Sequence, residues 1–163
     1  MTRNGITRSV RVPLAPGAAF DLFADGFDRW WPKEHCFCGE AALDRVFIDL
    51  EAMTWGEVTR DGHTALWGSI LAAQKPDRLE LGWQMDPRVS PWIPDPIAAR
   101  ASIVDLRFMP EPEGTLVTLR HHGFDRHGEG AEIMASVIVG LDRWAEWLAD
   151  FATLAAGQEG PQD

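Results

Sequence analysis

The fold is decided by residues 43–85, LDRVFIDLEAMTWGEVTRDGHTALWGSILAAQKPDRLELGWQM, in which strand patterns alternate with turn signals. Successive side chains of a strand point to opposite faces, so alternating apolar residues indicate a half-buried strand. The clearest example is the set Leu79, Leu81, Trp83 and Met85. The Asp61-Gly62 pair lies between two such patterns and predicts a hairpin turn, because Gly accepts a positive φ. The stretch therefore predicts a meander of antiparallel strands.

The flanking segments add a strand and helices to this meander. A first strand is predicted to end at Pro13, a short helix to run from Pro16 to Asp25, and a second short helix to end at Pro32. Two more strands are predicted over 104–108 and 117–122. Apolar residues then recur every three or four positions over 134–151, which predicts one long amphipathic helix. The order predicts an α+β fold with a curved antiparallel sheet of about seven strands and this helix packed on it.

Length and charge restrict the class of protein. We expect 163 residues to form one domain over 1–157, followed by a polar, frayed tail at 158–163. A net charge of −10 argues against binding to nucleic acid or to anionic lipid. No apolar run is long enough to span a bilayer, so we expect a soluble, cytoplasmic protein without membrane contact. A homodimer is compatible with the sequence.

The two cysteines, Cys36 and Cys38, are separated by one residue. This spacing is poorly suited to a mutual disulfide. Together with Glu34 and His35 they suggest soft metal ligands, but a zinc site normally takes about four ligands and no second cluster is evident. We therefore expect ordinary reduced thiols, no metal and no cofactor.

Several short motifs together resemble a known superfamily. They are the segments 67–71 (WGSIL), 76–79 (PDRL) and 81–84 (LGWQ), the segment 114–124 with Gly114, Thr115 and His121, and the Gly140 and Trp144 pair of the last helix. In this order they resemble the START-like (SRPBCC) superfamily, and within it the branch related to the activator of the ninety-kilodalton heat-shock protein ATPase. The resemblance covers nearly the whole chain and implies a helix-grip fold, often with a hydrophobic cavity between sheet and helix.

The leading hypothesis from the residues and this resemblance is non-catalytic binding of a small hydrophobic or aromatic molecule in that cavity. An unusual content of eight Trp supports it, because Trp supplies large apolar walls with one N–H donor. A dry, interlocked core is the competing interpretation. The candidate ligand-binding residues are Trp31, Leu81, Trp83, Met85, Trp92, Phe108, Leu119, His121, Met134 and Ile138.

No catalytic residue is predicted. His121 shares the parity of Val117 and Leu119, so it should point inward. There it would orient a ligand, act as an acid–base group, or serve as a structural histidine bonded to a backbone carbonyl. The resemblance leaves two other functions open. One is a stress-related co-chaperone that acts on a heat-shock chaperone ATPase, and the other is a cyclase or hydrolase that uses the same cavity.

Overall fold

The computed structural model describes residues 4–89 and 92–158. Pro91 of the proline-rich loop and positions 159–163 of the predicted tail therefore lie outside the described residues. Seven antiparallel strands form one curled sheet in the order β1-β9-β8-β5-β4-β3-β2, and β6 and β7 form a separate two-stranded ribbon. The strands are β1 Gly5–Val12, β2 Leu43–Asp49, β3 Thr54–Thr59, β4 Thr64–Gln74, β5 Arg78–Trp83, β6 Met85–Asp86, β7 Ile93–Pro94, β8 Ser102–Glu111 and β9 Gly114–His122.

The helices confirm the predicted order. They are α1 Pro16–Ala24, α2 Phe27–Trp30, α3 Ala131–Ala135 and α4 Arg143–Ala156, with a π-helical segment Ser136–Gly140 between the last two. Short 3-10 turns occupy Glu40–Ala42, Ala98–Arg100 and Phe124–Gly130. The structure therefore confirms the α+β helix-grip fold, and α1 begins at Pro16 as the sequence predicted.

The C-terminal helix differs from the prediction in one respect, because it is interrupted. Asp142 adopts a left-handed conformation with φ 51° and ψ 48°, two residues after the end of the π-helical segment. Its carboxylate accepts a hydrogen bond from Arg8 of β1 at 2.9 Å. Hydrophobic spacing continues across Asp142, so periodicity could not reveal the break. π-Helical insertions are frequent beside functional sites.

The core lies between the sheet and the helices, where α4 contacts β1 and α1 contacts β8. Its largest fully buried side chains are aromatic: Trp55, Trp67, Trp83, Trp144, Phe20, Phe23, Phe27, Phe108, Phe124 and Phe151. Aromatic rings bury a large apolar area per residue, so this cluster is the main source of hydrophobic stability.

Gly68 allows the closest approach within the sheet. A Cβ atom at this position would lie 1.8 Å from the carbonyl oxygen of Gly82 and 3.0 Å from the indole nitrogen of Trp55. The same indole donates a hydrogen bond to the Gly82 carbonyl at 2.8 Å. Only glycine fits at position 68, because any side chain would separate β4 from β5.

No helix within the described ranges, 4–89 and 92–158, is long and apolar enough to cross a membrane.

Candidate functional site

A cavity of about 260 Å³ opens between the segment that follows α2 and the C-terminal helix. Five tryptophans contribute to its wall. The residues that line it are Trp31, Glu34, His35, Cys36, Phe37, Trp67, Trp83, Met85, Trp92, Val137, Arg143 and Trp147. Val137 belongs to the π-helical segment and Arg143 begins α4, so the interruption of the C-terminal helix lies at the cavity.

The wall is built from indoles that hold one another in place. The rings of Trp31 and Trp147 lie 4.6 Å apart, and the ring of Trp67 lies 5.4 Å from that of Trp31. Trp83 stacks on Trp147 with an angle of 22° and a centroid distance of 6.1 Å. Such contacts restrict the rotamers of large side chains, so the aromatic surface is largely preformed.

Two of these tryptophans carry an unusual polar feature. The indole N–H groups of Trp83 and Trp147 are buried and have no hydrogen-bond partner among the described residues. Two other indoles of the wall do have acceptors: Trp31 donates to the His35 carbonyl at 2.9 Å and Trp67 to Glu57 at 2.8 Å. A buried donor without an acceptor carries a desolvation penalty of about 1–3 kcal/mol. An acceptor on a bound molecule would remove that penalty.

The polar part of the cavity wall comes from Glu34, His35 and Arg143. The Arg143 guanidinium lies 3.3 Å from Glu146. The imidazole of His35 meets the ring of Trp147 edge to face at 5.3 Å. Burial lowers the pKa of His35, and the carboxylate of Glu34 acts in the opposite direction. The imidazole is therefore neutral at physiological pH and can donate or accept a hydrogen bond.

The structure separates the predicted site residues into two groups. Trp31, Trp83, Met85 and Trp92 line the cavity. The others lie in the hydrophobic core or its polar network: Leu81, Phe108, Leu119, His121, Met134 and Ile138. Their role in ligand binding stays a prediction.

The sequence did not identify eight of the residues that line the cavity: Glu34, His35, Cys36, Phe37, Trp67, Val137, Arg143 and Trp147. For Trp147 the available signal was its spacing of three residues from Trp144, which places both on the same buried side of α4.

His121 points inward as predicted and is fully buried, but among the described residues it bonds to side chains rather than to a backbone carbonyl. The Trp144 indole donates to Nδ1 of His121 at 3.0 Å, so that nitrogen carries no proton. Nε2 then donates to the Ser102 hydroxyl at 2.8 Å, and this hydroxyl also forms a hydrogen bond with Nε2 of His127 at 2.8 Å. The indole contact therefore fixes the tautomer of His121.

Both histidines of this network are neutral in the folded protein. Burial lowers the pKa of His121 well below its ordinary value, and the nearby imidazoles of His127 and His122 act in the same direction. Burial also lowers the pKa of His127 to about 4, although Asp95 and Asp86 oppose the shift. A protonated His121 would place an N–H against the Trp144 N–H. The network therefore serves to fix Trp144 and with it one side of the aromatic cluster.

The two cysteines meet a third side chain that the sequence did not suggest. The Sγ atoms of Cys36 and Cys38 lie 4.0 Å apart, and both lie within 4.8 Å of a carboxylate oxygen of Glu57 on β3. Burial and the Glu57 carboxylate raise the pKa of both thiols, that of Cys38 to about 12. Glu57 shares the strand parity of the buried Trp55, and that shared parity was the signal in the sequence.

Comparisons with known proteins support the fold. Residues 16–153 match the model of the family described as Activator of Hsp90 ATPase homolog 1-like protein. An anthrahydroquino-gamma-pyrone synthase, Txn09, is 29% identical with a TM-score of 0.59 over 94% of this chain and 99% of that one. The self-sacrificing resistance protein CalC from Micromonospora echinospora is 25% identical with a TM-score of 0.65 over 94% of each chain. An AHSA1-like protein from Rhizobium etli is 22% identical with a TM-score of 0.55 over 96% of this chain and 85% of that one. No curated protein matches.

Proposed function

This chain belongs to the Activator of Hsp90 ATPase homolog 1-like family, and from that membership and its cavity we propose that it binds a small aromatic molecule without transforming it. The observation that carries the proposal is the wall of five tryptophans around about 260 Å³. This volume is close to the lower end of ligand pockets in proteins, which hold about 300–1,000 Å³. A molecule of two or three fused rings suits it.

The cavity also favours a particular polarity of ligand. The unpartnered N–H groups of Trp83 and Trp147 favour a molecule that carries an oxygen acceptor, such as a phenol or a ring carbonyl. A hydrogen bond made on binding contributes about 0.5–1.5 kcal/mol, which corresponds to roughly two- to twelvefold in affinity.

The test is a titration of intrinsic tryptophan fluorescence with naphthols, hydroxycoumarins and aliphatic alcohols of similar size. We expect saturable quenching by the aromatic members and a weaker response to the aliphatic ones. Val137→Phe adds volume inside the cavity and should weaken binding at least tenfold. Val139→Phe is the matched control, because Val139 is half-buried on the same segment and does not line the cavity. Equal binding by both variants would refute the proposal.

A second candidate function is docking on a heat-shock chaperone and stimulating its ATPase, and the description of the matched family supports it. Such a role would use the outer surface of the protein. Addition of the protein to a ninety-kilodalton chaperone should then raise the rate of ATP hydrolysis, and Val137→Phe should leave the effect unchanged. No change in the rate at saturating protein would remove this candidate.

The likeness to a synthase supports a third candidate, a cyclase-type enzyme that uses the same cavity. The groups for proton transfer would be His35 and Glu34 of the cavity wall, because the buried His121 is held in the network with Ser102 and Trp144. An enzyme of this kind would convert a bound polyketone into a new product. His35→Gln should abolish that conversion and leave binding nearly unchanged.

A further inference from the structure

Glu57 is a buried carboxylate that forms no ion pair within the part of the chain that the structure describes. Its side chain has no exposed surface, and among the described residues it makes no ion pair with any Lys, Arg or His. It accepts hydrogen bonds from the backbone N–H groups of Phe37 and Cys38 at 2.7 and 3.0 Å and from the Trp67 indole at 2.8 Å. Buried charges in proteins are usually paired with an opposite charge or coordinate a metal.

The two backbone hydrogen bonds also place the cysteines. They hold the 36–38 segment against β3, so both thiols lie beside the carboxylate on the same side of the segment. The Sγ atoms are 4.0 Å apart. Two thiolates on a tetrahedral zinc ion, each about 2.3 Å from the metal, lie about 3.8 Å apart. The cysteine pair is therefore already spaced to chelate one such ion.

We propose that Cys36, Cys38 and Glu57 form a binding site for one soft divalent cation of the Zn²⁺ or Cd²⁺ type. Two sulfur ligands select against Mg²⁺ and Ca²⁺, which require oxygen ligands, and the carboxylate is a common third ligand of zinc. Oε2 of Glu57 accepts one hydrogen bond, from the Cys38 backbone N–H, and retains a lone pair for the metal. Water completes a tetrahedral set of four.

A cation here would connect two parts of the fold. It would join the 36–38 segment, which supplies Cys36 and Phe37 to the cavity wall, to strand β3 of the sheet. It would also neutralise a carboxylate that forms no ion pair among the described residues. The site stands independently of the ligand proposed for the cavity, because it is defined by protein groups alone.

The test uses reduced, metal-free protein titrated with Cd²⁺ alone. We expect one ion per chain and an ultraviolet charge-transfer absorption of the Cd²⁺–thiolate bonds. Competition with a chromophoric chelator gives the affinity for Zn²⁺. Cys36→Ser and Cys38→Ser should each reduce the absorption by about half and weaken binding at least tenfold, as loss of a metal ligand does. His63→Ala, at the exposed β3–β4 turn, should change neither quantity.

Glu57→Gln separates the third ligand from the cysteine pair. It should weaken Zn²⁺ binding at least tenfold. The charge-transfer absorption per bound Cd²⁺ should keep its wild-type value, because both thiolate ligands remain. Its fold is checked by circular dichroism, and if it fails to fold, the two cysteine variants still decide whether the site exists. The proposal is overturned if the wild type binds Cd²⁺ no more tightly than a Cys36→Ser/Cys38→Ser double variant. Unchanged affinity in a folded Glu57→Gln variant would overturn the role of Glu57.

Discussion

Replacing His121 by Phe should destabilise the protein at neutral pH. The change removes the acceptor of the Trp144 indole N–H and leaves a buried donor without a partner. Ser102 keeps its contact with His127, so its hydroxyl stays satisfied. An unsatisfied buried donor costs about 1–3 kcal/mol, and we expect a loss of that size in the free energy of unfolding.

The same variant should also change how stability depends on pH. The pKa of His121 is depressed in the folded protein, so below about pH 6.5 the unfolded chain binds a proton that the native chain does not. Stability therefore rises with pH in this window and falls as the solution becomes acidic. One such histidine contributes a slope of up to about 1.4 kcal/mol per pH unit, and Phe removes that contribution.

The measurement is urea unfolding followed by circular dichroism at several values between about pH 7.5 and pH 5, where the unperturbed histidine titrates. Subtracting the free energy of unfolding of the variant from that of the wild type at each pH cancels the contributions of the carboxylates. Ser102→Ala should lose about 1–3 kcal/mol as well, because it removes the hydroxyl between two imidazoles, but it should retain the steep slope.

His63→Phe is a control, because His63 contributes a pH dependence of stability opposite in sign to that of His121. The adjacent Asp61 raises the pKa of His63, so the contribution of His63 is present at low pH and is lost as pH rises. The buried neutral network would be refuted if the free energy of unfolding had the same slope against pH in the wild type and in His121→Phe, and if the two proteins were equally stable at neutral pH.

Further predictions concern the backbone and the cavity. Gly68→Ala should destabilise the protein by about 1–3 kcal/mol, because its Cβ would meet the Gly82 carbonyl. Gly17→Ala in α1 should be neutral or stabilising. Thermal melting of both variants checks this prediction. Asp142→Val should destabilise the protein by about 1–2 kcal/mol, because a β-branched residue resists the left-handed conformation. Asp142→Gly should fold at least as well as Asp142→Val, and the same melting assay compares the two variants. Trp92→Ala should weaken naphthol binding with a change in unfolding free energy below about 1 kcal/mol, because the side chain is only half-buried at the cavity.

Local patterns predicted most of the fold. Pro16 marked the first residue of α1, Asp61-Gly62 formed the expected hairpin turn with φ 91° at Gly62, and the alternation over 79–83 is strand β5 with Leu79, Leu81 and Trp83 buried. In each case the decisive information is a backbone preference or a strand parity that acts within a few residues.

The functional details depended on long-range contacts that periodicity does not encode. Ser102 meets His121 and His127 because β8 and β9 are paired and the 3-10 turn after β9 folds back on them. Glu57 meets the cysteines only through the packing of the 36–38 segment against β3. Four of the ten predicted binding residues line the cavity, and the other six are buried in the core or its polar network.

The most direct test of ligand binding in the cavity is the NMR spectrum of the indole N–H groups, assigned through Trp83→Phe and Trp147→Phe variants. If an oxygen-bearing aromatic molecule binds as proposed, saturation with a naphthol should shift the Trp83 and Trp147 signals downfield, because each N–H gains an acceptor. The signals of Trp30 and Trp55, which already donate to backbone carbonyls, should stay in place. Unmoved Trp83 and Trp147 signals at saturating naphthol would contradict the account.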